Sequence, residues 1–123
     1  MGKFDTVNGT TRRNIAVLNS NGTLDTTFNP ATGGAETIQS VAVQTDGKIV
    51  IGGTNFALNS AVRGNVARLN ANGTADTTFN QGKGTKGGAV QALKIRSNNK
   101  LLIGGAFFRY HIFPRSGLAQ INL

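Results

Sequence analysis

An all-β fold of repeated four-stranded antiparallel sheets is what this sequence predicts, and three observations predict it. The chain repeats itself, its apolar runs are short and strand-like, and turn residues separate those runs. Asn21-Gly22-Thr23-Leu24-Asp25-Thr26-Thr27-Phe28-Asn29 returns 51 residues later as Asn72-Gly73-Thr74-Ala75-Asp76-Thr77-Thr78-Phe79-Asn80. Ile49-Val50-Ile51-Gly52-Gly53 returns 52 residues later as Leu101-Leu102-Ile103-Gly104-Gly105. Ile15-Ala16-Val17-Leu18-Asn19 returns as Val66-Ala67-Arg68-Leu69-Asn70 and again as Leu118-Ala119-Gln120-Ile121-Asn122. A period of this length marks an array in which one unit cannot bury its apolar face alone.

The elements follow in order. Asn14–Asn19 and Leu24–Phe28 read as a hairpin around Asn21-Gly22, repeated by Asn65–Asn70 and Ala75–Phe79 around Asn72-Gly73. Val41–Gln44 and Lys48–Ile51 flank Asp46-Gly47, which predicts a type I′ hairpin turn. The second copy has Asn98-Asn99 there, which predicts a slightly strained turn or one of another type. Each unit thus holds four short strands. Ile49–Ile51 and Leu101–Ile103 are apolar without alternation, as expected for strands covered on both faces. Ala holds the second place of the Ile-Ala-Val-Leu register in all three copies, which predicts close approach of a neighbouring sheet. The third place changes from Val17 to Arg68 to Gln120 and reads as solvated. Four-stranded sheets covered by their own copies describe propeller blades, and a stacked β-solenoid is the alternative.

The run Gly-Gly-x-Phe, Arg-x-x-Ile-Ala-x-Leu-Asn, Asn-Gly-Thr-x-Asp-x-x-Phe-Asn, Val-Ala-Val-Gln-x-Asp-Gly-Lys-Ile-x-Ile-Gly-Gly resembles the delta-60 repeat. The resemblance is most specific in residues 2–53 and fades toward Ser97-Asn98-Asn99 and Phe107–Pro114. It implies β-propeller blades and a scaffold or binding role in long bacterial and phage surface proteins. It carries no catalytic residue onto this chain. The expected organisation is one repeat domain over 1–123: repeat 1 at 2–53, repeat 2 at 53–105 and a partial repeat 3 at 105–123. The strand count is two, then four, then three, too few for a propeller of four to eight blades. The expectation is therefore a partial or oligomer-completed propeller, a chain docked on another protein, or a piece of a longer chain.

Composition narrows the function. The chain has 123 residues, no cysteine and a formal charge of +8. Residues 1–62 carry four basic and four acidic groups, so the whole excess lies in residues 63–123, where Asp76 is the one acid. Such a field attracts polyanions or an acidic partner, or serves solubility. Neither a disulfide framework nor a thiolate metal site is available. No apolar stretch reaches the roughly 18 residues of a membrane span, and Met1–Asp5 lacks a signal-peptide pattern. A role outside the cell then requires another export route or a removed leader.

Catalysis has little to draw on, and no enzyme, metal or cofactor is expected. His111 is the one histidine, and no two carboxylates lie close in sequence. Asp25 and Asp76 hold equivalent places after Asn-Gly-Thr and are read as bonding nearby backbone amides. Gly82-Lys83-Gly84-Thr85-Lys86-Gly87 spells G-x-G-x-x-G, but a strand rather than a helix follows, so a loop is expected. Its Lys83 and Lys86 remain candidates for contact with an anionic surface.

Arg12, Arg63 and Arg115 each stand three residues before the Ala-containing strand. They either tie neighbouring strands or form an arc of guanidinium forks for phosphate, sulfate or carboxylate. Phe108, Arg109, Tyr110, His111 and Phe113 form an aromatic and basic segment whose aromatics lack counterparts in the earlier copies. Such composition suits a protein–protein contact, with local packing or base stacking as alternatives, although nucleic acid is not the expected partner. Phe107 matches Phe4 and Phe56 and is expected in the core. The Asn-Gly-Thr triplets at Asn8, Asn21 and Asn72 are formal glycosylation acceptors, but turn geometry accounts for Asn-Gly.

The expected function is a non-enzymatic structural or interaction module, assembling with itself or into a surface complex or virion of decoration, tail or fibre type. The alternative is a lectin-like module that binds anionic glycans through the repeated arginines.

Overall fold

The computed structural model describes residues 6–7, 9–11, 14–29, 37–54, 57–58, 61–62, 65–79, 85–110, 113–114 and 117–123. Its strands are β1 (Thr6–Val7), β2 (Thr10–Thr11), β3 (Thr37–Val43), β4 (Ile49–Thr54), β5 (Ala57–Leu58), β6 (Ala61–Val62), β7 (Val66–Leu69), β8 (Thr85–Ile95), β9 (Lys100–Tyr110), β10 (Phe113–Pro114) and β11 (Leu118–Asn122). The described residues contain no helix, and the fold is all-β. One antiparallel sheet has the order β3-β4-β7. The second is built the same way around β9, with β8 and β11 beside it and the short β10 added at its far end. β1–β2 and β5–β6 form two-residue ladders, and Gly9 has a positive φ of +79° between β1 and β2.

The outer hairpins are shorter than expected. Asn14–Asn19 and Leu24–Phe28 meet through a single bridge, Leu18 to Leu24, and the next copy through Leu69 to Ala75. The following aspartate ends each ladder, because its Oδ1 accepts from the amide and hydroxyl two residues on and so competes with strand pairing.

Two cores separate three layers. Ile15 and Phe28 of the first segment pack on Ile38, Ile49, Ile51, Ala67, Leu69 and Ala75. Val50, Val66 and Phe79 of that sheet pack in turn on Val90, Leu101, Ile103, Phe107 and Ala119. β4 supplies both cores, Ile49 and Ile51 to one and Val50 to the other, which is why its run shows no alternation. Each such buried side chain stabilises the fold by about 1.5–3 kcal/mol.

The paired glycines have separate jobs. Both β3 and β8 carry a bulge opposite the second glycine, Gly53 or Gly105. A Cβ at Gly53 would collide with the Thr37 carbonyl oxygen, and one at Gly105 with that of Ala89. The first glycine, Gly52, seats the next sheet: a Cβ there would lie 2.7 Å from Val90 Cγ1 and 3.3 Å from Leu93 Cγ. Two polar ties reinforce the stacking. Asn65 Nδ2 donates to the Gly88 carbonyl at 2.9 Å, and the Asn29 amide donates to the Asn72 carbonyl at 2.8 Å.

Candidate functional site

One turn is used four times, and it positions the polar side chains. The amide of Gly22, Gly47, Gly73 or Asn99 donates three residues back, to Asn19, Gln44, Asn70 or Arg96, at 2.9–3.0 Å. The amide of each of those partners donates onward to Thr23, Lys48, Thr74 or Lys100 at 2.7–2.8 Å. This is a three-residue loop closed by a left-handed residue, so the type I′ expectation at Asp46-Gly47 is corrected. Asp46 keeps a negative φ and spends its Oδ1 on the Lys48 amide at 3.0 Å. Only one residue needs positive φ, and Asn99 supplies it at +62° in the same loop, not in another type.

At the edge of the β3-β4-β7 sheet these turns assemble a charged cluster around Asp76, which is 6% exposed. Its Oδ1 accepts from the Thr78 amide at 3.0 Å and the Thr78 hydroxyl at 2.5 Å. Its Oδ2 accepts from Lys48 Nζ at 2.9 Å and Arg68 Nε at 2.8 Å. Arg68 Nη1 reaches across β4 to Gln44 Oε1 at 3.1 Å, and its Cζ lies 4.8 Å from the Phe79 ring centroid. Burial opposes ionisation of Asp76. The Thr78 hydroxyl, Lys48, the Thr78 amide and Arg68 outweigh it and hold the carboxyl well below the usual carboxylate range. Such a group is a clamp, ionised and fully engaged, rather than a base with a free lone pair at neutral pH.

Arg68 therefore corrects the reading of its register position as solvated. With 11% of its side chain exposed, it binds the central aspartate and, beyond β4, Gln44. The second sheet repeats the cross-strand bond with the partners exchanged: Arg96 Nη1 donates to Gln120 Oε1 at 2.5 Å. Arg96 stands where Gln44 does, and Gln120 where Arg68 does. Sequence reasoning missed Gln44, Lys48 and Arg68 as a set. The signal was this exchange, Gln/Arg in one copy and Arg/Gln in the next at the same separation of 24.

Asp25 and Asp76 do bond nearby amides, as expected, and Phe107 is in the core. Arg12, Arg63, Arg115, Lys83 and His111 lie outside the described residues. The loop expected over Gly82–Gly87 is corrected in its second half, where Thr85-Lys86-Gly87 is strand. The backbone places Lys86 opposite Arg109 and Thr85 opposite Tyr110, and Phe113 pairs with Tyr110 from the other side. Four of the sequence candidates, Lys86, Arg109, Tyr110 and Phe113, thus share the far end of one sheet, with Phe108 on the same strand. β10 continues the aromatic segment as an edge strand, a position that tolerates Pro114.

Among the described residues no helix is long and apolar enough to cross a membrane, and no group of three acidic or histidine side chains could hold a metal ion. Comparison with curated proteins and with solved structures found no match. The model of a domain of unknown function, the DUF5122 β-propeller, matches residues 1–28 and 44–79, more than half of the chain. Those segments contain the Asn-Gly-Thr-x-Asp turns and the Asp76 clamp. The chain belongs to the DUF5122 β-propeller family.

Proposed function

We propose that this chain is a non-enzymatic structural and interaction module, a set of delta-60-type propeller repeats that works by assembling with other protein surfaces. The observation that carries the reading is the use to which charged chemistry is put. Asp76, Lys48, Arg68 and Gln44 are spent on one another and on Phe79, stiffening the edge of a sheet. The surrounding polar side chains serve turns that recur at equivalent places. The resemblance to repeats of surface proteins supports a setting on a cell-surface complex or a virion, as a decoration, tail or fibre component.

A second reading has its own support. Lys94 and Arg96 are exposed on the last sheet and Lys100 is half-buried, a basic strip suited to an anionic glycan. One measurement separates the two. Oligomers of fixed mass that persist in 1 M salt support the structural module. A monomer retained on a heparin-like matrix and released by moderate salt supports the lectin-like one.

A further inference from the structure

The last sheet presents an outer face built for a neighbour. Its equivalent in the preceding sheet is the face that takes β8, formed by Ser40, Val50, Gly52 and Val66. The corresponding residues are Ala92, Leu102, Gly104 and Leu118, each as apolar as its covered counterpart or more so. The registers Ala92 to Gly104 and Leu118 to Gly104 put three of them side by side, and Leu102 follows two residues along on the same face. Burial differs sharply between the two faces. Val50 and Val66 are fully buried, whereas Leu102 is half-buried and Leu118 is 58% exposed. A Cβ at Gly104 would meet nothing nearer than the Gly117 oxygen at 3.7 Å and Ala92 Cβ at 4.0 Å. The notch that holds Val90 at Gly52 is thus repeated and open. The same face carries Lys94 and Gln120 opposite Leu102, so its apolar part is the end around Gly104, as in the covered face, where Arg68 and Gln44 lie beyond Val50.

The opposite end of the described array is its complement. Leu18 stands where Leu69 does, and Leu69 is fully buried in the first core, yet Leu18 is 54% exposed. Ala16 and Leu24, in the places of the buried Ala67 and Ala75, are half-buried beside it. The two end faces therefore expose the two sides of the same sheet-on-sheet contact that the chain already makes internally.

We propose that the partner of the Leu102–Gly104–Leu118 face is the Ala16–Leu18–Leu24 face of a second copy, in head-to-tail contact. Charge selects this arrangement over a tail-to-tail pair. Residues 63–123 carry the whole +8, whereas residues 1–62 are neutral, so tail-to-tail pairing would oppose two basic faces bearing Lys94, Arg96 and Lys100. A heterologous contact of this kind yields a ring where the rotation closes and a filament where it does not. The inference rests on the proposed structural role and names the surface through which it is exercised.

The test uses two surface variants, Leu118→Lys and Leu18→Lys, with sedimentation velocity at 5–100 µM (roughly the range in which weak contacts of this size populate). Both sites are exposed, so unchanged circular dichroism and thermal midpoint at low concentration certify the fold. Wild type is expected to sediment as oligomers, and each variant alone as a monomer. An equimolar mixture of the two is expected to form a dimer and nothing larger, because each contributes the one intact face the other lacks. Assembly that survives both substitutions overturns the surface but leaves the structural reading standing. Assembly sensitive to Leu118→Lys alone overturns the head-to-tail arrangement. A wild type that is monomeric throughout, in low and high salt, overturns both.

Discussion

Replacing Asp76 by Asn isolates the ion pairs at the sheet edge from the turn beneath them. The Asn side-chain oxygen still accepts from the Thr78 amide and hydroxyl, as Oδ1 does in the native chain. What disappears is the charge on Oδ2, bonded to Lys48 at 2.9 Å and Arg68 at 2.8 Å. Lys48 has a third of its side chain in water and recovers much of its hydration. Arg68, at 11% exposure, does not. Removing one partner of a buried pair costs about 3–5 kcal/mol, and the exposure of Lys48 places this case near the lower end, about 3 kcal/mol. For a chain of this size that lowers the thermal midpoint by roughly 10 °C. The assay is urea unfolding followed by circular dichroism. A cost below about 1 kcal/mol for Asp76→Asn would refute the clamp.

Further outcomes follow from the same contacts. The folded-state pKa of Asp76 is depressed, so its contribution is complete above the unfolded aspartate value of about 3.9 and lost as pH falls below it. Urea midpoints of the wild type should therefore drop between about pH 4 and pH 2, while Asp76→Asn removes that component and leaves a shallower acid slope. Ser40 Oγ is buried with no hydrogen-bond partner among the described residues, and Ala92 fills the matching place in the next sheet. Ser40→Ala is expected to be neutral or to stabilise by up to about 1 kcal/mol in the same unfolding assay. Asn99 holds the left-handed position of its loop, so Asn99→Ala should cost about 1 kcal/mol and Asn99→Gly almost nothing.

The period of the repeat made the sheets legible because strand, turn and glycine recur together. Ile49–Gly53 lies in a central strand with neighbours on both faces, as its lack of alternation indicated, whereas Leu101–Gly105 is central in its sheet but covered on one face only, which corrects the expectation for the second copy. Turn type was less legible, because Asp-Gly fits two loop classes and the ladder bonds decide between them. The outer strands shrank to single bridges because aspartate captures the next amides, a competition that propensity alone does not rank. Arg68 was misread because a variable position in a repeat resembles a solvated one. Its meaning came from pairing across two strands with Gln44, a relation that periodicity along the chain does not display. The open Gly104 face was invisible for a different reason: sequence shows that a notch is repeated, and only the structure shows which notch is filled.

Gly52 and Gly104 hold equivalent places but differ in surroundings, because the next sheet covers the first and no described residue packs over the second. Gly52→Ala and Gly104→Ala, compared by urea unfolding at submicromolar concentration, test this contrast most directly. At Gly52 the added methyl meets Val90 Cγ1 at 2.7 Å and Ser40 Oγ at 2.8 Å, and overpacking of this kind costs about 1–3 kcal/mol. At Gly104 it meets only ordinary contacts, so the lower chain entropy of Ala should leave stability unchanged or raise it by about 0.5 kcal/mol. Opposite effects at the two positions are the predicted result. The same loss at both, or a loss at Gly104 alone, contradicts the stacking of the sheets.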